Sequence, residues 1–477
     1  MTTVQEQAIA NLKTAGLGDV LYVPGEKPYH ERIDSYWSLT PRLKPWAIVQ
    51  PRTTEEVSRV LKTLVAITGC KFAIRSGGHM CFPGANNIEA GVTIDLGLLR
   101  TTTYNPVTKI ASLQPGGKWT DVYATLEKEG VMVAGGREGL VGVGGLLTGG
   151  GKTLYTCRYG FACDQVVNYE VVLADGSIVE VNGAANADLF LVLRGGSNNF
   201  GIVTRFDMVT FEVRDIWDGI VVYPKTATDS LVEAFVDFCA NLTQQPDDHI
   251  LGIWTYMPQT AEHFVSMFLT NLDGVENPKS HEKFLAIPGE RNMKKTTVAK
   301  KLAEFELPSG KYDNWFTLTF KLDARIVKKA ADIFENMVEE LKLLVPDSNF
   351  YISMVLQPLL KSSAAHSATR GGNILGLERL PGDCVLLVGT VEVDTAELSA
   401  TVAFPKFKEA IEEIESFAKS VDGDVEFRYL NYSNGSQDPL GSYGGDNIRK
   451  MQEAAAKYDP NRVFQERVPG GFKIPKV

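Results

Sequence analysis

The sequence predicts an α+β fold in which one domain is built from two separate stretches of the chain. Residues 1–213 carry short apolar runs separated by glycine-rich loops, a pattern typical of short strands joined by tight turns. In residues 214–424, longer strand patterns alternate with long amphipathic helices, which predicts a sheet covered by helices on one side. The polar loop and amphipathic helix of residues 425–477 predict a return to the first domain.

Periodicity and capping residues place the individual elements. An apolar strand between two prolines, a capped helix and a second strand predict a β-α-β unit at residues 46–75. Helices are predicted at residues 4–16, 53–68, 120–130, 188–194, 228–242, 323–344, 406–421 and 446–457. Strands are predicted at residues 46–50, 71–75, 91–96, 110–113, 166–173, 178–181, 202–211, 251–257, 264–271, 315–322, 350–356 and 384–393.

Composition excludes several classes of protein. The 477 residues carry 48 Lys and Arg against 58 Asp and Glu, and this net charge of −10 argues against a nucleic-acid-binding surface. The chain contains no run of 18 apolar residues, so no membrane span is predicted. Its first residues lack the layout of a signal peptide, and we therefore expect a cytoplasmic protein. Six cysteines without a CxxC motif predict neither a disulfide scaffold nor a zinc site.

A short glycine loop, RSGGH at residues 75–79, is the first candidate for a binding site. It follows an apolar strand pattern and ends on a histidine. Adjacent glycines can adopt positive φ and present backbone N–H groups to an anion, while Arg75 adds a fixed charge and Ser76 a hydroxyl. The loop therefore predicts a site for a phosphate-bearing cofactor, with a simple turn and a surface histidine as the alternative.

The second candidate is a run of nine glycines within residues 134–151. Its spacers are apolar, which argues against a flexible linker. A dinucleotide-binding fingerprint is not matched either, since Leu147 stands where a third glycine is needed. We interpret the run as backbone that lies flat against a large planar ligand, where only glycine permits close approach.

These and further motifs follow one another in a fixed order along the chain. They are RSGGH at 75–79, GVGG at 142–145, GGG at 149–151, RYG at 158–160, RGG at 194–196, NFGIVT at 199–204, YLNY at 429–432 and DPNRVF at 459–464. The series closely resembles the berberine-bridge-enzyme-like oxidases, which belong to the vanillyl-alcohol-oxidase / para-cresol-methylhydroxylase class of FAD-linked oxidases. The resemblance implies a two-part FAD-binding domain, residues 1–213 and 425–477, and an antiparallel-sheet substrate-binding domain, residues 214–424.

The resemblance also implies a cofactor site. His79 takes the family position for a covalent bond to the flavin 8α-methyl group, and the loop backbone would bind the pyrophosphate. Many relatives form a second bond through a cysteine, but here Glu138 holds that position, so a single link is expected. The implied cofactor-binding residues are Arg75, Ser76, Gly77, Gly78, His79, Met80, Gly139, Val141, Gly142, Gly145, Gly149, Tyr159, Val203 and Asn431.

Three residues are candidates for catalysis. In relatives an aromatic hydroxyl at the position of Tyr429 faces the flavin, which makes Tyr429 the first candidate for the base and Tyr432 the second. A tyrosine needs a cationic neighbour to act as a base, because its ordinary pKa is about 10. Lys152, where relatives carry an uncharged residue, could supply that charge, tune the flavin or bind an acidic substrate; the alternative is that it points to solvent.

Other polar residues are weaker candidates. Gln357 and Glu392 lie on predicted strands and could reach a cleft, although alternation along a strand does not reveal which face is active. Five histidines show no metal-ligand spacing, and we expect them at the surface and no metal site: His30, His249, His263, His281 and His366.

Together these observations predict an FAD-dependent oxidase that acts on a small specialised metabolite. The resemblance implies hydride transfer to a covalently bound flavin and reoxidation by O₂, since Val141 matches a family position that gates oxygen access. The same chemistry can close a ring in the substrate. The alternatives are a flavin-dependent cyclase without net redox change, a secreted-type carbohydrate oxidase and a flavin-binding protein without catalysis.

Overall fold

The computed structural model describes residues 2–304 and 306–476. Met1, the first residue of one predicted FAD-binding segment, and Val477, the last residue of the other, lie outside the described residues. The α-helices are α1 Val4–Leu12, α2 Lys27–Asp34, α3 Thr54–Val65, α4 Trp119–Glu127, α5 Val143–Thr148, α6 Thr156–Tyr159, α7 Ala187–Leu193, α8 Thr228–Asn241, α9 Glu282–Ala286, α10 Val298–Glu304, α11 Ala324–Leu344, α12 Ser363–Ala368, α13 Ala396–Leu398, α14 Phe404–Ser420, α15 Gly445–Tyr458 and α16 Val463–Glu466.

The strands form three larger sheets and one two-stranded ribbon. They are β1 Leu21–Tyr22, β2 Ala47–Val49, β3 Phe72–Arg75, β4 Val92–Asp95, β5 Thr102–Asn105, β6 Ile110–Leu113, β7 Val131–Met132, β8 Val166–Val172, β9 Ile178–Asn182, β10 Ile202–Val209, β11 Phe211–Glu212, β12 Ile216–Pro224, β13 Asp248–Tyr256, β14 Phe264–Asn271, β15 Glu290–Thr296, β16 Tyr312–Lys321, β17 Tyr351–Leu359, β18 Cys384–Val393 and β19 Asp424–Val425.

The first sheet has the order β1-β2-β4-β3, in which β2, β4 and β3 run parallel. The predicted β-α-β unit is present as β2, α3 and β3, but its two strands are not neighbours. Strand β4, which comes later in the chain, pairs with both of them and lies between them. The loop after β3 thus begins at the edge strand of a parallel sheet.

A five-stranded antiparallel sheet follows, in the order β5-β6-β10-β8-β9. Its apolar core also includes Tyr429 and Leu430 from the C-terminal stretch, while Val463 and Phe464 pack in the core of the first sheet. These contacts hold the C-terminal stretch against the first half of the chain. The domain boundaries near residues 213 and 424 stay predictions.

The largest sheet is antiparallel throughout and has the order β15-β12-β14-β13-β17-β18-β16-β19. Helices α8, α11 and α14 pack on one face and bury alternate apolar residues of the strands, such as Ile250 and Trp254 of β13. The alternate residues of β13, such as His249 and Leu251, point to the opposite face of the sheet and line a cavity. The α+β fold class predicted from the sequence is confirmed, although the sequence missed strands β12 and β15.

Candidate active site

A cavity of about 560 Å³ lies between the glycine loops and the uncovered face of the eight-stranded sheet. One wall is formed by the loop after β3 and by helix α5 with the turn before it. The opposite wall comes from β12, β13, β14 and β17, and residues 429–432 close one side. Among the predicted site residues, those that line the cavity are Ser76, Gly77, Gly78, His79, Met80, Val141, Gly142, Gly145, Lys152, Val203, Tyr429, Asn431 and Tyr432.

Four other predicted cofactor residues do not line this cavity, which corrects the sequence-based placement. A Cβ atom at Gly139 would lie 2.1 Å from Thr120 Oγ1, and one at Gly149 would lie 1.9 Å from Asn431 Oδ1. Both glycines therefore permit packing against protein. The ring of Tyr159 stacks on Tyr155 instead. The fourth residue, Arg75, lies outside the cavity, with its guanidinium packed beside Gly78.

Arg75 is 2% exposed, and the partners of its guanidinium lie inside the protein. It donates hydrogen bonds to the backbone oxygens of Arg32 and Ser35 and lies 3.4 Å from a carboxylate oxygen of Asp95. Its guanidinium carbon also sits 3.6 Å from the centre of the Tyr36 ring. The predicted phosphate-binding charge is thus a brace that fixes the base of the loop.

The loop itself presents unused backbone donors to the cavity. The N–H groups of Gly77, Gly78, His79 and Met80 form no hydrogen bond with any residue in the described ranges. Gly78 has a φ of +73°, as the sequence predicted for a tight glycine turn. Consecutive free N–H groups in such a turn attract an anion, so this wall fits the phosphates of a dinucleotide cofactor.

His79 lies beside this row of donors and is oriented by an aromatic ring. Its imidazole stacks on the Trp37 indole with ring centres 5.3 Å apart and planes 13° from parallel. Burial lowers the pKa of His79 to about 3, and the charges of Lys118 and Arg75 act in the same direction. The imidazole is therefore neutral at physiological pH and keeps one nitrogen lone pair available for bonding.

Most glycines of the run at residues 134–151 allow close packing of protein against protein. A Cβ atom at Gly142 would lie 2.5 Å from the backbone of Gly77, and the side chain of Trp119 fills the space beside Gly135 and Gly136. Gly145 differs, because a Cβ atom there would meet nothing within 4 Å. The prediction of backbone laid flat against a ligand therefore fits Gly145 better than its neighbours, and residues 143–148 form a short helix.

Tyr429 is almost fully enclosed at 1% exposure. Its hydroxyl oxygen accepts hydrogen bonds from the backbone N–H groups of Gly151 and Lys152, each at 2.8 Å, and from the Asn431 amide at 3.1 Å. Burial raises the pKa of the Tyr429 hydroxyl, and the proximity of Tyr432 adds to the shift. These contacts tie the C-terminal stretch to the glycine run, and they correct the expectation that the Lys152 ammonium would be the neighbour of Tyr429.

The Lys152 side chain points elsewhere and is 5% exposed, which corrects the alternative that it points to solvent. Its ammonium donates a hydrogen bond to the backbone oxygen of Pro358 at 2.5 Å. Burial, with a contribution from the charge of Arg137, lowers the pKa of Lys152 to about 7. A buried lysine with a pKa near neutrality is typical of functional sites.

Arg137 is a site residue that the sequence did not reveal, and it connects three elements of the cavity wall. Its guanidinium donates to the Tyr432 hydroxyl at 2.6 Å, to Gln357 Oε1 at 3.0 Å and to His249 Nε2 at 3.2 Å. Because Nε2 accepts this bond, His249 is neutral with its proton on Nδ1. Burial and the Arg137 charge both lower the pKa of His249 well below its ordinary value.

The surface placement predicted for the histidines is wrong for three of them. His249, His263 and His281 are buried at 5%, 3% and 0% exposure, whereas His366 is half-buried and His30 is exposed. Strand alternation could have shown that His249 lies on one of the two faces of β13, but it could not have shown that this face lines the cavity.

In the described ranges no group of three potential metal ligands comes together, and no helix there is long and apolar enough to cross a bilayer.

The comparisons with known proteins bear directly on this site. A sequence profile described as an FAD binding domain matches residues 45–182, which include the loop with free N–H groups. The FAD-dependent monooxygenase drtC of Aspergillus calidoustus is 39% identical over 479 residues, covering 99% of this chain and 91% of the relative. The chain belongs to the FAD-linked oxidoreductases of the vanillyl-alcohol-oxidase and berberine-bridge-enzyme type.

Further relatives and solved structures agree with this family. The bifunctional solanapyrone synthase of Alternaria solani is 32% identical over 457 residues, covering 94% of this chain and 86% of the relative. BBE-like 1 of Physcomitrella patens shares the fold with a TM-score of 0.78 at 18% identity, covering 98% of this chain and 100% of that one. A structure of glucooligosaccharide oxidase from Acremonium strictum, which concerns its 6-S-cysteinyl, 8α-N1-histidyl FAD, shares the fold with a TM-score of 0.79 at 18% identity. It covers 99% of this chain and 100% of that one.

The residues of this FAD-linked oxidoreductase fit the cofactor that the family uses. Free backbone donors at residues 77–80 would hold the phosphates, and open space beside Gly145 would admit a flat ring system. Lys118 adds a cation at the outer side of the loop, where its ammonium donates to the Gly77 carbonyl at 2.9 Å. No pattern in the sequence marks Lys118, because its place beside the loop depends on folding.

Proposed function

We propose that this enzyme is an oxidase of a small specialised metabolite, with FAD held covalently through His79 and O₂ as the final electron acceptor. When bound, FAD supplies a two-electron acceptor for hydride. The substrate would lose a hydride and a proton from neighbouring atoms, and O₂ would take two electrons and two protons to give H₂O₂. The observation that carries the proposal is that His79 and the Arg137–Tyr432 pair line one cavity.

His79 is suited to form a single covalent link. A neutral imidazole is the nucleophilic form of histidine, and stacking on Trp37 fixes the direction of its ring. Glu138 stands at the position where many relatives carry a second cysteine, and its carboxylate accepts a hydrogen bond from the Val141 N–H at 2.8 Å. Val141 itself lines the cavity, as the proposed role in oxygen access requires.

Tyr432 is the better candidate for the base that removes the substrate proton. Its hydroxyl lines the cavity and accepts from Arg137, so a permanent positive charge lies 2.6 Å from the oxygen on which negative charge would develop. Tyr429, the first candidate from the sequence, receives three hydrogen bonds in an enclosed position. We infer that Tyr429 positions residues 149–152 and that Tyr432 handles the proton.

Three other reaction types are weighed against the oxidase. Relatives named monooxygenases favour a reaction that puts oxygen into the substrate, and ring closure is a second reaction type that the same hydride transfer allows. A carbohydrate oxidase is favoured only by structures of 18–20% identity, which share the fold. The apolar strand residues of this cavity, among them Leu251 and Ile253, favour a less polar substrate than an oligosaccharide.

The deciding experiment combines flavin analysis with oxygen accounting. We expect the flavin to precipitate with the protein in acid and to map to the tryptic peptide that contains His79. Aerobic turnover of a candidate substrate should consume one O₂ and release one H₂O₂ for each product. Labelled oxygen in the product would favour a monooxygenase instead. Turnover without O₂ consumption would favour a cyclase without net redox change.

A further inference from the structure

The charges on the cavity wall do not cancel. Lys301 is paired with Asp218 at 2.5 Å, and Lys294 forms an ion pair with Glu304. The Glu138 carboxylate is a further negative group of the wall; it accepts a hydrogen bond from the backbone N–H of Val141 and forms no ion pair with a cation of the described residues. Arg137 and Lys152 remain, and no carboxylate of the described residues lies within 4.0 Å of either side chain's nitrogens.

Both unpaired cations keep unused hydrogen-bond donors. A guanidinium has five N–H donors, and Arg137 uses three of them, all on neutral partners: His249, Gln357 and Tyr432. The ammonium of Lys152 has three donors and uses one, on the backbone oxygen of Pro358. Within the described ranges the other donors have no partner, although both residues line the same cavity.

Keeping two cations in a closed wall without a counter-ion is costly. The loss of hydration is offset by an opposite charge, in part by hydrogen bonds such as the three of Arg137, or by loss of the proton, as the lowered pKa of Lys152 shows. An anion that entered the cavity would supply an opposite charge, and it would accept from planar guanidinium donors and from a point-charge ammonium at once.

We propose that Arg137 and Lys152 form a subsite that binds an anionic oxygen of the substrate, either a carboxylate or an ionised enol or phenol. This inference rests on the proposed function, because it assumes that the substrate occupies the same cavity as the cofactor. The subsite would orient an acidic metabolite between the cofactor wall and strands β13 and β17. It would also select against neutral sugars.

The ionisation of Lys152 gives this subsite a second signature. The Arg137 charge lowers the pKa of the Lys152 ammonium, whereas the thiols of half-buried Cys157 and buried Cys239 raise it. The charge of Lys152 in turn lowers the pKa of the His249 imidazole. Burial is the largest cause, and the net result is a pKa of Lys152 of about 7. A bound anion raises that pKa, so binding at slightly alkaline pH should take up a proton.

The test uses the complete holoenzyme and two matched pairs of small probes. Benzoate is compared with benzamide, and 1,3-cyclohexanedione, an enolate at neutral pH, is compared with its neutral enol ether 3-methoxy-2-cyclohexenone. Titration calorimetry in triethanolamine and in Tris, two buffers without an anionic buffering species, measures both affinity and proton uptake. We expect at least one anion to bind about 10-fold or more tightly than its neutral partner, with proton uptake. The pair that shows the preference tells a carboxylate from an enolate.

Variants locate the effect on the two cations. Lys152→Met should remove about 10-fold of the anion preference and all of the proton uptake, and Arg137→Gln should remove a similar share of affinity. Lys294→Met is the matched control, because it deletes the same charge from an exposed, paired position of the same wall. Its affinities should stay within about 2-fold of the parent protein.

The proposal is overturned if neither anion binds the parent holoenzyme at millimolar concentration, or if anion and neutral partner bind equally. It is also overturned if Lys294→Met weakens anion binding as much as Lys152→Met does. These outcomes need no catalytic activity and the first two need no variant. A protein that binds the anions but contains no flavin would keep the subsite and refute the oxidase. A flavin-containing enzyme that oxidises only neutral compounds would keep the oxidase and refute the subsite.

Discussion

The Tyr432 hydroxyl lies 2.6 Å from a guanidinium nitrogen of Arg137, a residue 295 positions earlier in the chain. The pair joins the glycine run to the C-terminal stretch at the wall of the cavity. A cation that donates to a phenol oxygen stabilises the negative charge that forms when the proton leaves. This contact distinguishes Tyr432 from Tyr429, whose hydroxyl meets only neutral donors.

Replacing Tyr432 with Phe should slow flavin reduction by a factor of about 10² to 10⁴, the usual range for loss of a general base. The measurement is anaerobic stopped-flow reduction of the flavin by substrate. Binding of FAD should persist, because the hydroxyl contacts Arg137 and the ring is retained.

Tyr429→Phe provides the matched comparison, since it deletes the same atom from a neighbouring ring. It removes the acceptor of three hydrogen bonds from the backbone and from Asn431, so we expect lower thermal stability and a smaller loss of rate. A larger rate loss for Tyr429→Phe than for Tyr432→Phe would return the role of base to Tyr429.

His79→Ala should abolish covalent attachment of the flavin. After acid precipitation the yellow colour should move from the pellet to the supernatant, while the native variant keeps part of its FAD through the free N–H groups of the loop. Cys81→Ser is the control, because Cys81 is the nearest cysteine along the chain and its loss should leave acid-stable flavin in place. Acid-stable flavin in His79→Ala would show that another side chain forms the link.

Two glycines of the run should respond in opposite ways to the same added methyl group. In Gly142→Ala the Cβ atom would lie 2.5 Å from the Gly77 backbone, so the free energy of unfolding should fall by about 1–3 kcal/mol. In Gly145→Ala the methyl group enters open cavity space, and its position in helix α5 should leave the thermal midpoint of the flavin-free protein unchanged or higher. Flavin content of Gly145→Ala should nevertheless decrease. Full flavin loading of that variant would exclude Gly145 from the cofactor wall.

Two buried carboxyl groups should contribute more to stability in mild acid than in mild alkali. Asp313 and Glu392 are direct cross-strand partners on β16 and β18. Burial raises the pKa of both groups, and for Glu392 the charge of Asp313 adds to this. The unfolded chain then holds fewer protons than the folded one above the ordinary carboxyl range, so the free energy of unfolding declines as pH rises through the raised values.

Glu392→Gln removes one of the two titrating groups. The free energy of unfolding of this variant minus that of the parent protein should be near zero or negative around pH 5. The difference should increase toward pH 8, by about 1.4 kcal/mol for each unit by which folding raises the pKa. Denaturant unfolding at several pH values measures this. The exposed Glu397→Gln carries the same change of charge and should show no such trend; parallel curves for both variants would contradict the assignment.

The sequence already contained much of the fold and part of the cofactor site. Helices such as α8 and α11 were predicted within two residues at each end, because an apolar stripe of helical period marks them without reference to the rest of the chain. The glycine turn after β3 was predicted for a similar reason, since positive φ at Gly78 is a local property. His79 could be singled out because the loop that carries it is continuous in sequence.

Tertiary structure decided everything that depends on contacts between distant residues. Strand alternation predicts two faces of β13, but only the packing of α8, α11 and α14 leaves His249 on the side of the cavity. The charge of Arg75 could be read from the sequence, whereas its use as a brace on Asp95 could not. Likewise, the pairing of Arg137 with Tyr432 and the burial of Lys152 arise only when stretches far apart in the chain meet. Local periodicity is encoded residue by residue, while desolvation and hydrogen-bond partners are properties of the folded whole.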